Sequence, residues 1–380
     1  RLKSALRPTD HVVRFGGDEF VVILEPVTDA STAESVAERI AKAFTEPFEL
    51  SRGRHTVGTS IGISLFPRDG DDPETLLKNA DMAMYAAKGA GKGRHCFYRR
   101  EFYDSLKTQL DTEQQLLSAI DEDQFEMHYQ PRVDTMTGEM VGLEALVRWR
   151  HPERGMVPPD DFIPLAETTG LIVPLGDLVM HKVCAQLALW QRQEVAVVPV
   201  SVNVSVKQFN EGNVKSLISS CLATHGIAPE LIEIELTESA MMGDVDSILL
   251  EVDAIKALGV TIHIDDFGTG YSSLSLLRTL NMDVLKVDRS FTSQLGQNKQ
   301  GEIFFKAIAS MAKALGMRVV AEGVETQEQM QILQTLSCDE IQGYFASRPL
   351  PAKAIPALLR ERFLLKGVVH RADEGDPIDA

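Results

Sequence analysis

The chain has 380 residues, 44% of them hydrophobic, enough to bury substantial cores and more naturally two domains than one. A formal charge of −17 argues against a nonspecific grip on DNA or on an anionic membrane surface unless a local basic patch opposes the overall field, and a phosphate-ester substrate would need cations to help. The four cysteines, Cys96, Cys184, Cys221 and Cys338, are scattered without a CxxC pair, which predicts neither a disulfide framework nor a zinc site but free or buried thiols in a reducing cytoplasm.

The amino-terminal hundred residues read as a small α/β unit. Val12 to Arg14 and Val21 to Leu24 are apolar, β-branched runs joined across Gly16, Gly17, Asp18, Glu19 and Phe20, which is a hairpin signal. "ASTAESVAERIAKAFTEPF" follows with Val36, Ile40 and Phe44 at helical spacing and Ser31 or Thr32 as its cap. "HTVGTSIGISLFP" alternates like a strand, and "DPETLLKNADMAMYAAKGAGKGR" is an amphipathic helix with Pro73 in its first turn. These strands are too few for a complete sheet. The opening "RLKSALRPTD" lacks an initiator Met and starts as if inside a helix, so the chain reads as a fragment of a longer protein, any sensor or membrane anchor lying upstream. No apolar run approaches the roughly 20 residues of a membrane-spanning helix, no signal peptide is recognisable, and a cytoplasmic location with no membrane contact is expected of this stretch.

Glu101 to Ile120 contains no Gly or Pro and carries leucines among charges, the pattern of a semi-rigid helical linker. From about residue 121 strands alternate with helices. The strand signals are "FEMHYQPRV", "VGLEALVRW", "VPVSVNVS", "LIEIELTE", "VTIHIDDF", "VLKVDRSF", "RVVAEGVE" and "EIQGYFAS", with helical patterns such as "LGDLVMHKVCAQLALWQRQ" and "EIFFKAIASMAKALG" between most of them. Eight such signals over about 250 residues fit a (β/α)8 barrel. "DTMTGEM" is too short for a helix, so the first strand is expected to pair antiparallel with the second. The predicted organisation is an amino-terminal unit over 1–100, a linker over 101–120, a barrel over 121–365 and a flexible tail over 366–380.

Most of the polar residues fall late in these strands, with Glu144 midway along its own. Glu144 lies in the second, Asn203 in the third, Glu235 and Glu238 in the fourth, Asp265 and Asp266 in the fifth, Lys286 and Asp288 in the sixth, Glu322 and Glu325 in the seventh and Gln342 in the eighth. Strand carboxyl ends meet on one face of such a barrel, where active sites lie. Any one of these residues alone could mark only where the chain leaves the core. Together they crowd carboxylates that would repel one another without a cation. Oxygen donors with one amide and no Cys or His favour Mg²⁺ or Mn²⁺ over zinc. The adjacent Asp265 and Asp266 suggest two ions roughly 3.5–4 Å apart, the arrangement that clamps an in-line phosphoryl displacement. Consecutive strand residues face opposite ways, so the strand is expected to end between them, with Gly268 and Gly270 supplying the turn. Lys286 could neutralise a phosphate, orient the attacking water or form a structural ion pair. Arg148 shares a face with Glu144 and could hold a phosphate bidentately, and Glu238 is expected to hold the glycine-rich loop. His128, His151 and His263 are read as packing or surface residues.

"GLEALVRW", "VNVS", "ELTES", "IDDFGTGYSSL", "LKVDRSF", "AEGVET" and "QGYFASRPL" together resemble the EAL-domain cyclic di-GMP phosphodiesterases, from about Thr112 to Phe363. "RFGGDEFVVIL", "TSIGIS" and "NADMAMYAAKGAGKGR" resemble the GGDEF domain of diguanylate cyclases, an α+β palm-like fold. The resemblance implies hydrolysis of cyclic di-GMP to linear pGpG with two Mg²⁺ or Mn²⁺ ions. Carried over by position, Glu144, Asn203, Glu235 and Asp265 would hold one ion, Asp265 would bridge to a second also bound by Asp266, and Glu322 and Lys286 would serve the metal site and the water. Glu238 would anchor a loop that the family also uses in forming homodimers. Gln130, Arg148, Asp288 and Gln342 would line the substrate path.

In the GGDEF-like part, the residues that the family pairs with the acidic turn to make a cyclase would all precede Arg1, so no cyclase activity is expected of these 380 residues. Arg7 and Asp10 in "RPTD" match the family's RxxD inhibitory site in residue type and register, and GTP is a further ligand the resemblance suggests for this part. The competing readings are an active phosphodiesterase with a regulatory amino-terminal unit, a non-hydrolysing cyclic di-GMP receptor, and a bifunctional cyclase and phosphodiesterase in a longer protein.

Overall fold

A computed structural model describes residues 1–27, 29–50, 53–89, 93–211, 213–238, 245–268, 277 and 279–365. The chain divides into two compact units, Arg1–Thr112 and Glu113–Ala380. The helix Arg100–Asp121 contains the boundary. The predicted tail lies outside the described residues.

In the amino-terminal unit, β1 (His11–Gly16) and β2 (Glu19–Ile23) form the expected antiparallel hairpin. Gly17 takes φ +50°, a conformation that glycine enters without a Cβ penalty, and the Arg14 guanidinium donates to its carbonyl at 2.6 Å. The helix α1 (Ala30–Thr45) buries Ala33, Val36, Ala37 and Ile40. Its cap is Asp29, not Ser31 or Thr32: the extended backbone at Asp29 lets its carboxylate accept from the Thr32 N–H at 2.9 Å, and Ser31 donates to the same carboxylate. β3 (Phe48–Leu50) pairs antiparallel with β4 (Gly53–His55). Of "HTVGTSIGISLFP", His55 ends β4 and Ile61–Ile63 forms β5, which pairs in parallel with β6 (His95–Phe97). The helix α2 (Pro73–Gly89) packs so closely on β5 that a Cβ on Gly62 would come 1.8 Å from the Ala80 carbonyl oxygen.

The second unit is the predicted barrel. Its strands are β7 (Phe125–Asp134), β8 (Met140–His151), β10 (Val200–Val204), β11 (Ile232–Thr237), β12 (Thr261–Phe267), β13 (Val284–Val287), β14 (Arg318–Ala321) and β15 (Glu340–Gln342). Among the described residues these eight close the ring. Seven run parallel in sequence order, and β7 runs against both of its neighbours, β8 and β15. The short strand β9 (Gly155–Val157) extends β8, and β16 (Leu350–Pro351) adds to β7. Reversal of β7 brings Gln130 opposite Glu144 at the mouth and Arg132 opposite Gln342 deeper in the barrel.

The crossover helices pack their apolar faces on the sheet. The helix Ile172–Arg192 is long and apolar enough to cross a membrane, contrary to the expectation from the sequence, but it buries Leu175, Val183, Leu187 and Trp190 in the barrel core. The helix Pro159–Thr169 was not legible, because Pro158, Pro159 and Pro164 interrupt its pattern. Pro159 occupies its first turn, Gly170 ends it at φ +87°, and Phe162 and Ala166, four apart, bury one face.

Candidate active site

Inside the mouth, the Lys286 ammonium is fully buried and ringed by carboxylates. It lies 2.7 Å from Glu235 Oε2, 2.8 Å from Glu322 Oε1, 3.2 Å from Asp265 Oδ1 and 3.5 Å from Glu144 Oε2. Five side chains from β8, β11, β12 and β13 and from the residue after β14 thus converge as the strand ends predict. Burial alone would depress the lysine pKa, but the four carboxylates hold it well above its ordinary value.

The carboxylates are unequal. Burial, followed by repulsion from Glu235 and Glu144, raises Asp265 to about 6 against the pull of Lys286. Glu322 lies well above the usual carboxylate range, again from burial with Asp265 and Glu144 nearby. Glu235 goes the other way: burial would raise it, but Lys286 and His263 outweigh burial and hold it below that range. One ammonium therefore faces more negative charge than it can neutralise, and the surplus falls on Asp265 and Glu322.

Glu144 is fixed on both oxygens. Asn203 Nδ2 donates to Oε1 at 2.7 Å, and Gln342 Nε2 donates to Oε2 at 2.5 Å while also reaching Gln130 Oε1 at 3.2 Å. The Gln130 amide in turn donates to the Ser347 carbonyl at 3.1 Å. Gln342, expected from resemblance on the substrate path, thus orients a carboxylate, and Gln130, expected there too, contacts Gln342.

The expected strand end between Asp265 and Asp266 does not occur. β12 continues to Phe267, and the turn happens within it: Asp266 takes φ +54°, and the pairing with β13 shifts register between Ile264 and Phe267. This bulge overrides strand alternation and brings both carboxylates to the mouth. Carboxyl oxygens of Asp265, Asp266 and Glu322 lie within 4.8 Å of one another, a grouping able to hold a metal ion. Asp266 is raised by burial and by its neighbours Asp265 and Asp288. Just beyond the bulge, Gly268 at φ +101° donates its N–H to Glu238 Oε2 at 2.9 Å. Gly270 and the rest of "TGYSS" lie outside the described residues.

The remaining predicted residues sit at the margin. Arg148 is half-buried and donates to the Val147 carbonyl at 2.8 Å. Asp288 caps a short helix, Arg289–Thr292, accepting from the Ser290 N–H at 3.0 Å. In the other unit Asp18 and Glu19 are exposed at the hairpin turn, and Asp10 accepts from the Arg7 backbone N–H at 2.8 Å.

A second polar layer lies beneath the mouth. Arg132, fully buried, pairs with Glu233 and at 2.9 Å with Glu340, which Arg318 also contacts. His263, also fully buried, stands between Glu233 Oε2 at 3.4 Å and Glu235 Oε1 at 3.5 Å. The packing or surface role read for His263 from sequence gives way to one among charges. Strand alternation held the signal, since His263 precedes Asp265 by two residues and shares its face.

A barrel with one reversed strand and an acidic mouth around a buried lysine is the setting in which the comparisons with known proteins fall. Residues 113–349 match the EAL domain family, and residues 1–94 match the family described as diguanylate cyclase, GGDEF domain. The chain belongs to the EAL domain family, with a GGDEF-type segment before it. It is 38% identical over 357 residues to the bifunctional diguanylate cyclase/cyclic di-GMP phosphodiesterase MucR of Pseudomonas aeruginosa, covering 94% of this chain and 52% of that protein. It is 36% identical over 351 residues to the cyclic di-GMP phosphodiesterase PdeR of Escherichia coli, covering 92% and 53%. A solved structure described as PaMucR phosphodiesterase, c-di-GMP complex, is 39% identical, with a TM-score of 0.61 over 65% of this chain and 99% of that one. The chain spans about half the length of the curated relatives it matches.

Proposed function

We propose that this chain is a metal-dependent phosphodiesterase that hydrolyses one phosphodiester bond of cyclic di-GMP and releases linear pGpG. The observation that carries the reading is the convergence of Asp265, Asp266 and Glu322 within 4.8 Å beside the Lys286 ammonium. The names of the related proteins, MucR and PdeR among them, support the substrate.

The residues present suit divalent ions. The donors are hard oxygens, and the raised Asp265 and Glu322 mark negative charge that lacks compensation. Asp265, Asp266 and Glu322, with Glu144, Asn203 and Glu235, would hold two ions, Mg²⁺ or Mn²⁺. Such ions supply Lewis acidity and lower the pKa of water at neutral pH. The side chains do the rest. Asn203 and Gln342 hold Glu144 in one orientation. Lys286 and Glu322 orient the water that attacks phosphorus, and the ribose oxygen that leaves takes up a proton in exchange for the one that the water gives up. Gln130, Arg148, Asp288 and Gln342 line the path of the dinucleotide, with Arg148 the cation for a phosphate. Glu238 fixes the start of the loop after β12 through Gly268, a loop we assign to homodimer contact.

The amino-terminal unit, residues 1–100, is read as a regulatory module acting through the helix over 101–120 in a cytoplasmic setting. GTP is its proposed ligand at Asp18 and Glu19, and Arg7 and Asp10 form the proposed inhibitory site. A longer protein containing this chain would be the place for cyclase activity as well, as in the bifunctional MucR.

Incubating the purified chain with cyclic di-GMP and Mg²⁺, with product resolved by chromatography, tests the reading. pGpG should form and should vanish with EDTA. Binding of cyclic di-GMP without pGpG would leave a receptor in place of an enzyme.

A further inference from the structure

We propose that His263 is a positioning residue for the barrel site, fixing the Glu235 carboxylate by bridging it to the Arg132 and Glu233 pair beneath. The proposal rests on the metal-dependent reading of the mouth, which uses Glu235 but not His263, Arg132 or Glu233.

Glu235 has two oxygens in different surroundings. Oε2 is held by Lys286 at 2.7 Å. Oε1 is buried and, among the described residues, has no partner at hydrogen-bond distance; it faces His263 Nδ1 at 3.5 Å. The other ring nitrogen, Nε2, faces Glu233 Oε2 at 3.4 Å. Among the described residues neither ring nitrogen makes a hydrogen bond. A filler residue would place its polar atoms where they cost least, whereas this ring directs each nitrogen at a carboxylate.

The backbone fixes this arrangement. β11 and β12 are parallel with Glu235 directly opposite His263 and Thr237 opposite Asp265, so the ring and the mouth carboxylate Asp265 share one strand face. Below the ring, Glu233 is committed to Arg132, itself anchored by Glu340. His263 therefore rests on a buried ion pair that has little freedom to move. Removing the ring would leave Glu235 with Lys286 as its one side-chain partner among the described residues, free to turn about that contact and to present its oxygens differently. Groups that orient a metal-binding carboxylate from behind typically change metal affinity by about 10–100-fold.

Two variants separate this role from packing. His263→Leu fills the space without a donor, and His263→Gln keeps a donor. Crystal structures of both, with Mn²⁺ titrations followed by electron paramagnetic resonance on the whole chain, supply the readouts. The expected result is that the Leu variant folds, turns the Glu235 carboxylate out of its present place and binds Mn²⁺ about 10–100-fold more weakly, while the Gln variant recovers most of both. An unmoved Glu235 in the Leu variant overturns the proposal, as does a Gln variant no better than Leu in carboxylate position. Failure of the parent chain to bind Mn²⁺ overturns the metal-dependent reading instead, and the crystallographic comparison then decides the role of His263 alone.

Discussion

The Lys286 ammonium stands 2.7 Å from Oε2 of Glu235, with neither side chain exposed to solvent. Both charges are deep in the barrel, and the lysine also holds Glu144, Asp265 and Glu322. Removing one partner of such a set leaves the rest uncompensated, a loss of about 3–5 kcal/mol. Lys286→Ala should therefore destabilise the metal-free chain by that order in denaturant titration, and less in saturating Mg²⁺. It should also lower turnover more than substrate affinity. Equal losses in both would make Lys286 a substrate contact.

Glu144 is gripped by Asn203 and Gln342, which donate to its two oxygens, an arrangement that a carboxylate satisfies and its amide does not. Glu144→Ala should abolish pGpG formation, since losing one oxygen donor at the proposed two-metal site would remove several kcal/mol of transition-state stabilisation. The folded barrel should persist by circular dichroism. Turnover near that of the parent would overturn the assignment of Glu144.

Metal binding at the mouth should depend on pH. Burial lifts Asp265 to about 6, above the roughly 3.9 of an unfolded aspartate. A raised folded pKa contributes stability that is fully present below about pH 4 and lost as pH rises through about 6. Glu322 acts in the same direction; Glu235, held low, contributes above its unfolded pKa and loses that contribution as pH falls. A divalent ion competes with the proton on Asp265 and on Glu322, so Mn²⁺ affinity should climb as pH rises through about 6. Titration calorimetry between about pH 5 and 8 would read this, together with proton release at the acidic end. Affinity independent of pH across that range would contradict the environment described for Asp265.

Gly142 lies opposite Arg132 in the β7–β8 ladder, and a Cβ there would come 2.2 Å from Arg132 Nη2. Arg132 cannot easily yield, because Glu233 and Glu340 hold its guanidinium. Gly142→Ala should cost about 1–3 kcal/mol by overpacking. A fall in melting temperature would show it, and an unchanged melting temperature would mean that the polar layer can rearrange.

Much of this was legible from sequence for a physical reason. The barrel strands are apolar runs with polar residues where they reach the mouth, so period and position carried both the fold and most of the acidic cluster. What was not legible depends on closure of the sheet. Arg132, Glu233 and Glu340 each look like ordinary polar positions along their own strands, and only the ring brings them to one layer. The bulge at Asp266 depends on a positive φ, which aspartate enters more often than most residues but still in a small minority of its positions, so the residue type does not announce it. Prolines concealed the helix Pro159–Thr169.

Water as the nucleophile at this mouth is the central claim, and hydrolysis in heavy-oxygen water tests it most directly. With Mg²⁺ present, mass spectrometry should find one labelled oxygen in the terminal phosphate of newly formed pGpG and none in unreacted cyclic di-GMP. Unlabelled pGpG, or intact cyclic di-GMP bound without any linear product, would contradict it.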